Sequence, residues 1–130
     1  MSLPQDFSYS IEHEWIDRLK DQAIGTTVKV GITHIAADRL GEVVFAELPG
    51  VGEEVIAGDI CGEVESTKSV SDLYSPVSGT VVAVNNDVHD DYSLINDDPY
   101  SQGWLFSVEV SAVGDLMTAA DYAKENGVDA

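Results

Sequence analysis

Apolar and polar positions alternate along most of this chain, and where the alternation fails a turn signal usually stands. In "TTVKVGI" (Thr26–Ile32), Val28, Val30 and Ile32 fall on one face and Thr27, Lys29 and Gly31 on the other, the two-residue period of a strand with one buried side. The period changes in "THIAADRLG" (Thr33–Gly41): a Thr cap, apolar Ile35, Ala36 and Leu40, and a closing Gly predict one or two helical turns. "EVVFAEL" reads as a strand halted by "PGVG", and Gly58 and Gly62 in "EEVIAGDICGEVES" suggest bends between short strands. "SPVSG" (Ser75–Gly79) is expected as a tight turn leading into "TVVAV". "NNDVHDDYSLINDDPYSQG" is expected as a polar loop with some buried anchors, and "WLFSVEV" as a closing strand. "GDLMTAADYAKENG" returns to helical spacing, with Thr118 and Asp121 placed as a capping box and Gly127 as the stop.

A faint repeat runs through the strands. "GEVVFAEL" (Gly41–Leu48) and "GTVVAVNN" (Gly79–Asn86) each put a Gly before a β-branched run, and each is followed by another Gly-led strand, at Gly62 and Gly103. Two similar halves predict a small sandwich with quasi-twofold symmetry, joined by the segment around Lys68. A length of 130 residues favours one domain, and a hydrophobic content of 44% is that of a folded chain.

Charge narrows the partners. Twenty-four acids against six bases give −18, a field that repels nucleic acid and anionic membrane surfaces and suits protein partners with basic patches. No apolar run is long enough to span a bilayer, and "MSLPQDFSYS" carries neither a secretory nor a transit pattern. With a single cysteine, Cys61, no internal disulfide forms, and a reducing cytoplasm is expected. Cys61 itself sits among acids in an apolar strand, so it reads as a small buried hydrophobe rather than a nucleophile. His13, His34 and His89 have no metal-ligand spacing, and no base–nucleophile–orienter set for a small hydrolase can be assembled. Trp15 and Trp104 belong to strands and read as packing residues.

One position stands out against this background. From Leu40 to Ala123, Lys68 is the only lysine or arginine, among sixteen aspartates and glutamates. It lies in "VESTKSVSDLY", where Val64, Ser66 and Val70 are expected to be partly covered while Lys68 stands at a hairpin tip. A nucleophilic amine needs its ammonium disfavoured by burial or a nearby cation. Glu65 and Asp72 flank Lys68 instead. The pattern favours an acceptor lysine, activated by the enzyme that modifies it.

"GEVESTKSVSDLYSPVSGTVVAVN" resembles the lipoyl-attachment segment of the glycine cleavage H-protein family. "YSIEHEWI" (Tyr9–Ile16), "VGITHIAADRLGEVVFAELPGVGEEV" (Val30–Val55) and "LINDDPYSQGWLFSVEV" (Leu94–Val110) resemble other blocks of that family, in the same order. The resemblance implies a mainly β fold, a barrel-sandwich hybrid of short antiparallel strands with a short helix near 33–40 and a C-terminal helix. It implies a tail over residues 1–8 and a single lipoyl-carrier domain over 9–130. Lys68 matches the lysine that carries covalent lipoate. Glu65 matches the acid recognised during attachment, with Asp72 beside it. Glu14 and Arg39 are candidates for a cleft that shelters the arm, Glu14 as a carboxylate for a cargo ammonium.

The implied role is that of a carrier, not an enzyme. It takes the aminomethyl group of glycine from glycine decarboxylase to a folate-dependent aminomethyltransferase, and dihydrolipoyl dehydrogenase reoxidises it. Lipoate-attaching enzymes are further partners, and a monomer is expected. Rival readings are a lipoyl-relay paralogue or another lipoyl or biotinyl carrier. "STKS" has neither the methionines usual beside a biotinyl lysine nor the acid usual immediately before a lipoyl lysine of 2-oxo acid dehydrogenases. Three departures from the family pattern are visible: Ser69 after the lysine, Arg39 where histidine can stand, and a longer connection over residues 17–29, expected as an extended hairpin loop.

Overall fold

A computed structural model describes residues 1–129 of the chain. Its elements, in chain order, begin with β1 (Ser8–Tyr9), β2 (Glu14–Ile16), β3 (Thr27–Ile32), α1 (His34–Leu40) and β4 (Val43–Glu47). They continue with β5 (Glu54–Val55), β6 (Ile60–Ser66), β7 (Val70–Tyr74) and β8 (Val77–Val84). The chain closes with α2 (Asn86–Asp90), α3 (Ser93–Asp97), β9 (Phe106–Val113) and α4 (Ala119–Asn126). All pairings are antiparallel. A six-stranded sheet runs β1-β2-β3-β9-β8-β5, and a three-stranded sheet runs β4-β6-β7.

The core lies between the two sheets. Val28, Val30, Val81, Phe106 and Val108 from the larger sheet pack with Val43, Ala46, Val64 and Leu73 from the smaller one, all buried. This is the expected barrel-sandwich arrangement, with β4–β6 and β8–β9 as the two similar strand pairs. A second cluster joins Leu3, Tyr9, Trp15, Ile35, Tyr122 and Ala123, and so ties the N-terminal strands to the C-terminal helix. Leu3 in that cluster is 1% exposed, which packs part of segment 1–8 against the domain.

The helix caps form as the sequence predicts. Thr33 Oγ1 accepts from Ala36 N at the start of α1, and Thr118 Oγ1 accepts from Asp121 N at the start of α4. Gly127 closes α4 in the left-handed conformation.

Three expectations are corrected. "SPVSG" is not a turn throughout, because β8 begins at Val77. Pro76 stands just ahead of it, where a missing N–H costs nothing, and Gly79 marks a bulge where a Cβ would run into the Glu109 carbonyl of β9. The polar loop after β8 contains α2 and α3, anchored by Val88 and Ile95, both fully buried. Asn85 Oδ1 caps α2 by accepting from Asp87 N. The long connection over 17–29 is shorter than expected, since its last residues, Thr27–Lys29, belong to β3 and a 3-10 turn at Lys20–Gln22 folds the remainder. Among the described residues no helix is long and apolar enough to cross a membrane.

Gly31 faces Trp15 across β2–β3. A Cβ there would lie 2.8 Å from the indole Nε1, which donates to the carbonyls of Ile32 (3.0 Å) and Pro99 (3.1 Å). Gly31→Ala is therefore expected to destabilise the fold by about 1–3 kcal/mol through overpacking, measured by urea unfolding. A loss below about 0.5 kcal/mol would show that the indole has room to move.

Candidate functional site

The β6–β7 hairpin carries the candidate lysine on a three-residue loop, Thr67-Lys68-Ser69, and Lys68 is exposed. The loop is held from inside by a residue that the strand pattern had marked only as partly covered. Ser66 is 6% exposed, and its Oγ accepts from the backbone N–H of Lys68 (3.3 Å) and of Ser69 (3.1 Å). The same hydroxyl donates to the Ser69 carbonyl at 3.2 Å, and Ser66 N donates to that carbonyl at 2.8 Å. Thr67 N donates to the Glu42 carbonyl, which fastens the tip to the connection between α1 and β4. Asn96 of α3 holds that connection in turn, donating to the Gly41 carbonyl (2.8 Å) and accepting from Val43 N (3.0 Å).

Gly41 lies under the lysine. A Cβ built on it would stand 3.3 Å from Lys68 Cε, and its φ of 81° is one that side-chain-bearing residues seldom adopt. The stem of the lysine therefore crosses bare backbone. Sequence reasoning assigned Gly41 only as a helix stop and missed Asn96 as a support. The signals were present, in an Asn beside turn formers and a hydroxyl two residues before the lysine.

Glu65 and Asp72 are both exposed, on the outer face of the three-stranded sheet. Register places Phe45, Glu65 and Val70 in one cross-strand row, and Glu47, Glu63 and Asp72 in the next. Val70, expected to be partly covered, is 58% exposed on this face, because the side chain covering the core at that end is Val64.

Beyond the loop the free edge of β7 lines a cleft of about 300 Å³. Its apolar walls are Ile32, Ala36, Leu40, Val64 and Leu73, and its polar lining includes Glu12, His13, Glu14, Arg39, Ser69 and Asp72. Glu14 and Arg39 thus line one cleft, and Ser69, the neighbour of Lys68, lines it too. Glu14 is 1% exposed. Ser10 Oγ donates to its Oε1 at 2.7 Å, and Tyr74 N donates to its Oε2 at 3.3 Å, so this carboxyl joins β2 to the β7 edge. Burial pushes its pKa up to about 8, against the opposing pull of those two hydrogen bonds. At rest Glu14 is therefore mostly a neutral acid near pH 7, and not the plain carboxylate that the sequence suggests.

The other candidates are inert or structural. Burial, reinforced by nearby Glu14, pushes the Cys61 thiol up to about 12, the wrong direction for a nucleophile. Trp15 is fully buried. Among the described residues no group of three His, Cys, Asp or Glu is placed to hold a metal ion.

The scaffold is thus two β-sheets that present one exposed lysine on a braced hairpin, beside a cleft. A family profile described as Glycine cleavage H-protein matches residues 7–127. A glycine cleavage system H protein from Corynebacterium aurimucosum is 66% identical over 128 residues, covering 98% of each chain. One from Corynebacterium jeikeium is 58% identical over 125 residues, covering 96% of this chain and 98% of its own. The crystal structure of a glycine cleavage system H protein from Mycobacterium marinum superposes with a TM-score of 0.93 at 52% identity, covering 97% of this chain and all of that one. The chain belongs to the glycine cleavage H-protein family.

Glu14 makes a pH prediction. Its folded pKa lies above the unfolded value, so between 4.5 and about 8 the folded state holds a proton that the unfolded state has lost, and stability falls as pH rises through that window. Glu14→Gln, which cannot ionise, is expected to remove a fall on the order of a few kcal/mol across the window. Urea unfolding at the two ends checks this. Equal pH slopes in wild type and variant would mean that Glu14 ionises normally.

Proposed function

We propose that this chain carries lipoate on Lys68 and serves as the shuttle of the glycine cleavage system, passing between glycine decarboxylase, a folate-dependent aminomethyltransferase and dihydrolipoyl dehydrogenase. The observation that carries the reading is the pairing of an exposed lysine, braced through Ser66, with an apolar cleft that begins at the next residue. A lipoyl group, when attached, supplies a disulfide that can be opened to carry an aminomethyl group and closed again by oxidation.

This chain's residues fit such a group. Lys68 offers its amine clear of the sheet, and bare Gly41 leaves its stem room to lie flat or swing. The hairpin backbone stays fixed, so the reach of an attached arm is spent on the side chain and not on loop motion. Ile32, Ala36, Leu40, Val64 and Leu73 offer an apolar wall for methylenes and sulfur. Glu14 at the polar side of the cleft is a neutral acid until a cation approaches, and a nearby ammonium favours its ionised form. Such a carboxyl gains charge when cargo arrives, without leaving a bare charge buried when the cleft is empty. Glu65 and Asp72 stand on the outer face beside the tip, where an attaching enzyme would meet them.

Intact mass spectrometry after expression in a lipoate-competent host tests the reading. One lipoyl group is expected on the wild type and none on Lys68→Arg, which keeps the charge but not a primary amine. Biotin at Lys68, or lipoyl at another residue, would overturn it. Charge makes a second prediction. With a net −18, affinity for the decarboxylase is expected to fall as salt rises, read by titration calorimetry over a salt series. An affinity independent of salt would count against electrostatic docking.

A further inference from the structure

Four residues from three parts of the chain meet beside the cleft in one line of hydrogen bonds. His13 lies in the turn between β1 and β2, and among the described residues it is the one non-glycine with a positive φ, 75°. Its backbone is pinned there, since its N–H donates to the Ser10 carbonyl and its carbonyl accepts from Thr33 N. Its Nδ1 is 2.6 Å from the Tyr122 hydroxyl of α4, which is 2.8 Å from Thr33 Oγ1, the cap of α1. Its Nε2 is 3.2 Å from a guanidinium nitrogen of Arg39, in the last turn of α1.

The proton positions follow from the one group that has no choice. A guanidinium only donates, so His13 Nε2 must be a bare acceptor. The ring's proton then sits on Nδ1 and is donated to the Tyr122 oxygen, whose other neighbour is Thr33 Oγ1. Hydrogen bonds thus link Arg39 through His13 and Tyr122 to Thr33.

We infer that His13 is a positioning residue of the cleft: held between Tyr122 and Arg39 as the Nδ1–H tautomer, it tethers the Arg39 guanidinium at the cleft wall through its bare Nε2. The tether matters because Glu12, Glu14 and Asp72 are among the residues that line the same cleft. A guanidinium left to itself in such surroundings pairs with a carboxylate and spends the negative charge that a cationic cargo needs. Bound to a neutral ring nitrogen, Arg39 leaves that charge in place.

Protonating His13 puts an N–H against the guanidinium, two donors face to face. The tether fails, and Arg39 is released to bridge toward Glu12 or Asp72. The groups at the ring are Glu12 on its own turn, Arg39 on α1 and Tyr122 on α4, and Glu14 of β2 and Asp72 of β7 line the same cleft. Burial and Arg39 hold the ring below the usual histidine range, so the tether is made near neutral pH and lost under acid. Only the cargo consequence rests on the carrier reading.

The test uses the unmodified full chain labelled with ¹⁵N, so it stands whether or not Lys68 accepts a lipoyl group. Long-range proton–nitrogen correlation spectra near neutral pH are expected to show His13 with a bare Nε2. Tyr122→Phe removes the hydroxyl and keeps the ring that stacks on Tyr9; it is expected to move His13 toward the Nε2–H form and to free the Arg39 side-chain signal. His13→Asn suits the left-handed backbone and does not titrate, and it is expected to abolish the shift of the Arg39 side-chain signal that accompanies His13 protonation. An Nε2–H tautomer in the wild type would overturn the inference, as would a tautomer unchanged by Tyr122→Phe or an acid-induced Arg39 shift that survives His13→Asn.

Discussion

A single buried hydroxyl holds the loop that presents Lys68. Without Ser66 Oγ, the amides of Lys68 and Ser69 would lose their acceptor, and the three-residue loop would keep only two ties, Ser66 N to the Ser69 carbonyl and Thr67 N to the Glu42 carbonyl. Each such bond is worth about 1 kcal/mol net, small against the whole fold but large for a loop with few other contacts. The brace also has depth. Ser66 is seated on the core side of β6, Glu42 and Gly41 form the shelf behind the tip, and Asn96 fixes that shelf to α3. The short helices α2 and α3 thus reach the lysine through one side-chain amide. A loop that looks local is built from three separated stretches of chain.

Charge is arranged at two depths. On the surface, the row Glu47–Glu63–Asp72 sets like charges directly opposite one another, which costs stability and has no packing return. Inside the cleft, the buried acid is neutral at rest and the one cation is tied to an uncharged histidine. The surface therefore presents a permanent negative field to whatever docks, while the cleft keeps its negative charge in reserve. Both are compatible with a small core because neither leaves an unpaired charge buried.

Local pattern made much of this legible. The strand period of β3 and the Thr caps of α1 and α4 are properties of a few adjacent residues, and each appears in the structure as the sequence suggests. Helices α2 and α3 were hidden because only Val88 and Ile95 mark their buried sides, in a stretch rich in Asp and Asn that otherwise reads as loop. Pro76 and Gly79 looked like turn formers, but one precedes a strand and the other serves a bulge. Glu14 was legible as a cleft candidate, yet its protonation was not, because that depends on burial by other segments winning against the hydrogen bonds from Ser10 and Tyr74. The chain from Arg39 to Thr33 was beyond reach of local reading: its His13–Tyr122 link joins residues 109 positions apart.

That long link explains a feature of the fold that packing alone does not require. The C-terminal helix could cover Tyr9 and Trp15 with any large apolar side chain, and a phenylalanine in place of Tyr122 would fill the same space. The hydroxyl adds nothing to burial, and desolvation raises its pKa, so it acts here as a neutral donor and acceptor. Placing it between a capping threonine and a strained histidine commits the helix to the cleft wall as well as to the core. A left-handed backbone at His13 is tolerated only where its surroundings over-determine it, and here the Ser10 and Thr33 backbone bonds and the Tyr122 contact do so together. The helix is therefore the far support of the cleft, as α3 is of the lysine, and the two supports meet at α1, whose cap binds Tyr122 and whose last residues, Arg39 and Leu40, line the cleft.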